Sequence, residues 1–173
     1  MNDKIDWRYM LHDTRAQVYL LWAVLLATGF TATHYYQNVN INGVWTTLSL
    51  IGLGFMYKTM PLKVNTMKRI FKVWLGVVVV GIMVSGFVAH STSPNIGHYT
   101  QFLGGFWLCM MAIGYALNGI VDEPATWYWI AAAVNIAAGA ACFFLNDFQT
   151  VQYLVAAIIA AWSMLNLWLF RVF

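Results

Sequence analysis

Six apolar stretches of about twenty residues constrain this chain more than any other feature, because that length at 1.5 Å per residue crosses a bilayer as a helix. They run over Ala16–Gln37, Ile41–Met60, Phe71–His90, Tyr99–Val121, Ala125–Leu145 and Phe148–Phe170, and their cores hold no Asp, Glu, Lys or Arg. Lys58 and Lys72 fall in end turns, where long side chains reach the headgroups. A membrane β-barrel would alternate polar and apolar residues in segments of about ten. Val77-Val78-Val79-Val80 and Ala131-Ala132-Ala133 do not alternate. The expected fold is therefore a single all-α domain over residues 1–173, a polytopic membrane bundle of six helices.

Composition agrees. Charged residues make up 9% of the chain, against about 25% in a soluble domain, too few to cover a water-facing surface. A soluble enzyme, a disordered regulator and a nucleic-acid-binding domain are excluded on that ground.

The breaks between spans are explicit. Asn38, Asn40, Asn42 and Gly43 make the first turn, and Pro61 follows the second span. Ser91-Thr92-Ser93-Pro94-Asn95 separates the third from the fourth, and Asp122-Glu123-Pro124 opens the fifth. Acids there oppose the positive end of a helix dipole, and proline suits a first turn. Asn146-Asp147 is a tight turn before the sixth. No secretory signal is apparent, since the first apolar run is too long for one.

Charge placement sets the orientation. Lys4, Arg8 and Arg15 precede the first span; Lys58, Lys63, Lys68, Arg69 and Lys72 flank the loop after the second; Arg171 follows the sixth. With six spans all nine basic residues fall on one side, and basic residues are retained in the cytoplasm. Both termini are expected there, in a cell inner or plasma membrane. Val64, Met67 and Phe71 share a helical face beside Lys63, Lys68 and Arg69, and Trp7, Met10 and Leu11 lie among Lys4, Arg8 and Arg15; both patterns suit the inner leaflet.

The same orientation gathers His34, His90, His98 and Asp147 at the outer rim. Three imidazoles at one depth could ligate copper or zinc, or two of them a haem b. Cys109 and Cys142 read as small buried apolar residues at different depths, not as a disulfide or a CxxC metal motif. Uncharged polar residues inside the spans are sparse: Asn135 in the fifth, Gln152, Ser163 and Asn166 on one face of the sixth, and Tyr115 and Asn118 near the inner end of the fourth. Such residues bond helices together or line a pocket.

Small residues mark candidate packing faces: Gly76 and Gly86 in the third span, Ala133, Ala137 and Ala141 in the fifth, Ala156 and Ala160 in the sixth. The short fifth-to-sixth turn makes those two spans an expected close hairpin, with Ala137 near Ala157 and Tyr128 near Asn166. A three-plus-three comparison yields only a faint echo, His12-Asp13-Thr14 leading to Trp22 and Gly29 against His98-Tyr99-Thr100 leading to Trp107 and Gly114.

The spans lack the intramembrane carboxylates or basic residues of an ion-coupled transporter. Motifs for zinc proteolysis, serine hydrolysis and nucleotide binding are missing. Three functions remain. The first is a non-catalytic integral membrane subunit or scaffold, with the bilayer and other membrane subunits or a second copy as partners and no nucleic acid. The second is a redox or metal protein using the outer histidines. The third is a carrier or channel for a neutral or lipid-like ligand.

The topology is directly testable. In a background without native cysteines, Ser93→Cys is expected to react with an impermeant maleimide only from outside the cell. Labelling only from the cytoplasmic face overturns the orientation.

Overall fold

The computed structural model describes residues 14–36, 41–90, 101–122 and 125–172. Six helices lie among these residues: α1 (Thr14–Tyr35), α2 (Ile41–Thr59), α3 (Asn65–His90), α4 (Leu103–Val121), α5 (Ala125–Phe144) and α6 (Asn146–Val172). Five of the six are long and apolar enough to cross a membrane. The helix outside that group is α2, which spends part of its 19 residues on Asn42, Gly43, Thr46, Thr47 and Ser49.

Two of the boundaries that differ from the sequence expectation have a clear local cause. Helix α3 begins six residues before Phe71. Pro61 O accepts the Val64 N–H at 2.9 Å, and Val64 O accepts the Lys68 N–H at 3.0 Å, so the turn runs straight into helix. Met67, Ile70 and Trp74 then bury one face of α3 while Lys68, Arg69 and Lys72 stay exposed. The basic segment is thus the amphipathic start of a helix. Asn146 and Asp147 belong to the first turn of α6, leaving Leu145 as the joint between α5 and α6.

The most extensive helix contacts join α1 to α6 and α4 to α5; α5–α6 and α3–α4 come next. The alanine ridge expected on α5 is turned away from the interior: Ala133 and Ala137 are exposed and Ala141 is half-buried. The buried face of α5 is instead Tyr128, Ala131, Ala132, Asn135, Gly139 and Cys142. Two features fix that rotation. Asn135 needs partners out of lipid, and Gly139 meets Gly105 and Cys109 of α4 so closely that a methyl group there would lie 2.8 Å from the Cys109 sulfur. On α6, Ala156 and Ala160 are fully buried.

On α3, a methyl group at Gly76 or Gly86 would meet open space. The close approach is at Gly81, against the Trp107 ring of α4, and it belongs to a set. Trp22 of α1 lies on Gly52 of α2, and Trp45 of α2 lies on Gly29 of α1. Trp107 of α4 lies on Gly81 of α3, and Trp74 of α3 lies on Gly114 of α4. Each hairpin therefore exchanges two indoles for two glycines. Trp45 donates its N–H to Thr33 Oγ1 at 2.9 Å, and Trp107 donates to Ser85 Oγ at 3.0 Å. The two hairpins meet where the Trp45 and Trp107 rings stack, 5.8 Å between centroids.

A Cβ at Gly52 would sit 2.5 Å from Trp22, and overpacking of this kind costs about 1–3 kcal/mol. Gly52→Ala is expected to lower the thermal unfolding temperature in detergent. Gly54→Ala, where a Cβ meets nothing within 4 Å, is expected to leave it unchanged or raise it slightly.

Candidate functional site

At the end of the bundle that carries Arg15 and the α2–α3 loop, α1, α5 and the end of α4 bring polar side chains together. Tyr128 donates its hydroxyl proton to Asp122 Oδ2 at 2.8 Å. The Tyr19 hydroxyl bonds to that of Tyr128; with the Tyr128 proton committed to Asp122, Tyr19 is the donor. Arg15 Nη1 lies 3.6 Å from Asp122 Oδ1. The Asp122 side chain is 6% exposed and that of Arg15 34%, so the chain of contacts runs from the edge of the bundle into its interior. Arg15 and Tyr19 are one helical turn apart on α1, which puts both on the face toward Asp122 and Tyr128.

Deeper, Asn135 donates its amide to Ser163 Oγ at 2.7 Å and to Ala131 O at 2.8 Å. The Tyr115 hydroxyl faces Ser163 but completes no hydrogen bond. Its ring meets Trp74 edge-on at 5.2 Å. Asn118 lies one turn further along α4. Tyr115, Asn118 and Asn135 are fully buried. The Tyr115 hydroxyl, both polar atoms of the Asn118 amide and Asn135 Oδ1 have no hydrogen-bond partner among the described residues. A buried polar group left so costs about 1–3 kcal/mol.

Cavities among the described residues lie both inside the bundle and on its outside. One of about 10 Å³ lies among Arg15, Tyr19, Trp22, Met60, Trp74 and Met164, and another of about 20 Å³ runs on from it past Trp22, Trp74 and Met164 toward Trp45 and Trp107. Each has room for about one water. A third, of about 300 Å³, is an open slot on the outside between α4 and α5. Ala112 and Ala132 are buried at its base, with Ala116 and Ala133 beside them, and exposed Ile113, Trp129 and Ile136 form its walls.

The remaining candidates from the sequence are more dispersed. Gln152 is buried and ties α6 to the start of α4: its Oε1 accepts the Gly104 N–H at 2.7 Å and its amide donates to Gln101 O. Asn166 donates to Trp162 O, one turn back in its own helix. His34 is half-buried, edge-on to Tyr35 at 4.8 Å. His90 is exposed; its Nδ1 lies 3.0 Å from Gly86 O, to which it donates in one tautomer, and 3.3 Å from the Asn42 amide, from which it accepts in the other. Asp147 is exposed in the first turn of α6. His98 lies outside the described residues. Among those described, no three His, Cys, Asp or Glu side chains come together to hold a metal ion. Cys109 and Cys142 are both free thiols.

Sequence reasoning used Arg15 and Asp122 only as topology and dipole charges and missed their link to Tyr19 and Tyr128. The available signal was an acid and a base at the same end of neighbouring spans, each followed within two turns by a tyrosine. No protein-family model matches the chain, and no curated protein or solved structure matches it either.

Tyr128→Phe removes the hydroxyl that joins Tyr19 to Asp122 and is expected to destabilise the bundle by about 1–3 kcal/mol. Tyr57→Phe, at a residue 67% exposed, is expected to have no effect. Thermal unfolding of both variants in one detergent checks this.

Proposed function

We propose that this protein is a non-catalytic integral membrane subunit whose α4–α5 slot receives a transmembrane helix of a partner protein. The observation that carries this reading is the slot itself. It is much larger than the two small cavities and it opens away from the bundle. Its base is alanine, Ala112 and Ala116 one turn apart on α4 and Ala132 and Ala133 on α5, and the outward ridge continues to Ala137. In lipid, helices associate by close van der Waals contact, which small residues allow. Ala133 and Ala137 on the outer face of α5 are exposed, so this part of the ridge is available for packing against another helix.

The chain would then act as a six-span scaffold with both termini in the cytoplasm of an inner or plasma membrane. The one-sided placement of all nine basic residues supports that arrangement.

Photo-crosslinking in native membranes tests the reading. A photoreactive residue at Ala133 is expected to give a single protein adduct of defined mass, while one at Met83, 68% exposed on α3, captures lipid alone. Ala137→Leu, at an exposed position on the same ridge, is expected to abolish the adduct without lowering the unfolding temperature of the isolated chain. Lipid adducts alone at Ala133, matching those at Met83, would overturn the proposal.

A further inference from the structure

The exchanged indoles and glycines reveal an internal repeat that sets one group of residues apart. Adding 52 to residue numbers in α1 carries Trp22, Gly29 and Thr33 onto Trp74, Gly81 and Ser85 of α3. Adding 62 in α2 carries Trp45 and Gly52 onto Trp107 and Gly114 of α4. All four helices thus hold a tryptophan seven residues, two turns, before a glycine. The equivalence extends into the core. Val18, Trp22, Leu25 and Leu26 match Ile70, Trp74, Val77 and Val78, and all eight are buried. Even the indole bond to a hydroxyl recurs, at Thr33 and at Ser85.

Against that shared frame, one face of α4 departs. Where the first hairpin has Leu53, Met56 and Met60, the second has Tyr115, Asn118 and Asp122. In the first hairpin Met56 is 1% exposed and its sulfur accepts the Trp22 indole N–H at 3.1 Å, so apolar residues satisfy this architecture. The scaffold does not require polarity there. The second hairpin nonetheless places a phenol and an amide at those positions, fully buried, with their polar atoms unmatched. Asn135 Oδ1, across the interface on α5, is unmatched too.

We propose that Tyr115, Asn118 and Asn135 form a binding site for a small uncharged molecule, from the size of water to a few heavy atoms, that both donates and accepts hydrogen bonds. The unmatched atoms set this chemistry. The Asn118 amide N–H donates, Asn118 Oδ1 and Asn135 Oδ1 accept, and the Tyr115 hydroxyl does either. An ion is disfavoured, because the only charged side chains described near the site, Arg15 and Asp122, already face one another. The small cavities nearby, beside Trp74 and Met164, are lined by none of the three residues and hold about one water each, so only a small occupant fits this close-packed region. Access is from the Arg15 end, where the chain of Asp122, Tyr128 and Tyr19 reaches the edge of the bundle. This site is independent of the α4–α5 slot and of its proposed partner.

The test uses the residue that the first hairpin already accommodates. Asn118→Met recreates the Met56 arrangement, and Tyr115→Phe removes one hydroxyl. If the site is occupied, both variants lose bonds to the bound molecule and their unfolding temperatures in detergent fall. A high-resolution map of the full chain, purified without glycerol or other polyols, then shows density bridging Tyr115 and Asn118 that is missing from Asn118→Met. A compact isolated peak identifies water, and an elongated one a small solute. If the site is bare, Asn118→Met relieves an unmatched amide and unfolds about 2–4 °C higher or more. That rise, or a map without bridging density in the unaltered protein, overturns the proposal. Should Asn118→Met fail to fold, the direction of the Tyr115→Phe shift and the map decide it.

Discussion

An indole seated on a glycine is the contact on which this bundle depends. Lipid tails are as apolar as leucine, so burying one more apolar side chain between helices gains little from solvent. Helices hold together in that medium only where their surfaces interlock closely. A tryptophan supplies a large flat surface, and a glycine on the facing helix lets it lie against backbone. Four such seats, at Gly29, Gly52, Gly81 and Gly114, are shared reciprocally within α1–α2 and α3–α4. Trp45 and Trp107 also have their indole N–H groups matched by a hydroxyl of the facing helix. The seats therefore fix the rotation of four helices at once, and the stacked Trp45 and Trp107 rings join the two hairpins.

That frame leaves α5 and α6 to close the polar side of α4. Gly139 and Gly105 bring α5 against α4, and Gln152 ties α6 to the first turn of α4. The polar groups gathered between them follow a gradient. Nearest the edge, Arg15, Asp122, Tyr128 and Tyr19 are linked to one another. Further in, Asn135 and Ser163 bond, while the Tyr115 hydroxyl and the Asn118 amide have no partner among the described residues. Outside, exposed Ala133 lies beside buried Ala132 at the base of the slot. One helix thus carries two faces of different use, an inner face built around Asn135 and an outer one around Ala133.

Much of the architecture is legible in the letters. Charge-free runs of twenty residues leave little alternative to membrane helices, and Pro61 and the Asn-rich turns place the breaks within a few residues. The helix starts are harder. Residues 65–70 carry Lys68 and Arg69, and only the burial of Met67 and Ile70 beneath Trp74 shows them to be the first turns of α3. The packing faces were the least legible. A four-residue alanine spacing says that a ridge is smooth, not which neighbour it meets, and Ala133 and Ala137 point outward because Asn135 and Gly139 claim the inward side. The tryptophan–glycine spacing stands in the sequence at four places, but each pair belongs to two different contacts. Trp22 does not touch Gly29; it touches Gly52. The pattern acquires meaning only once the helices are paired.

The bundle requires these glycines because of the indoles they face. Unfolding temperatures for Gly81→Ala, made once in the natural chain and once in a Trp107→Leu background, measure that coupling directly. If the seat is real, the added methyl lowers stability in the natural chain, where it meets the Trp107 ring, and costs little or nothing once the ring is gone. An equal loss in both backgrounds would show that Gly81 and Trp107 act independently, and the interlocked hairpins would no longer explain the fold.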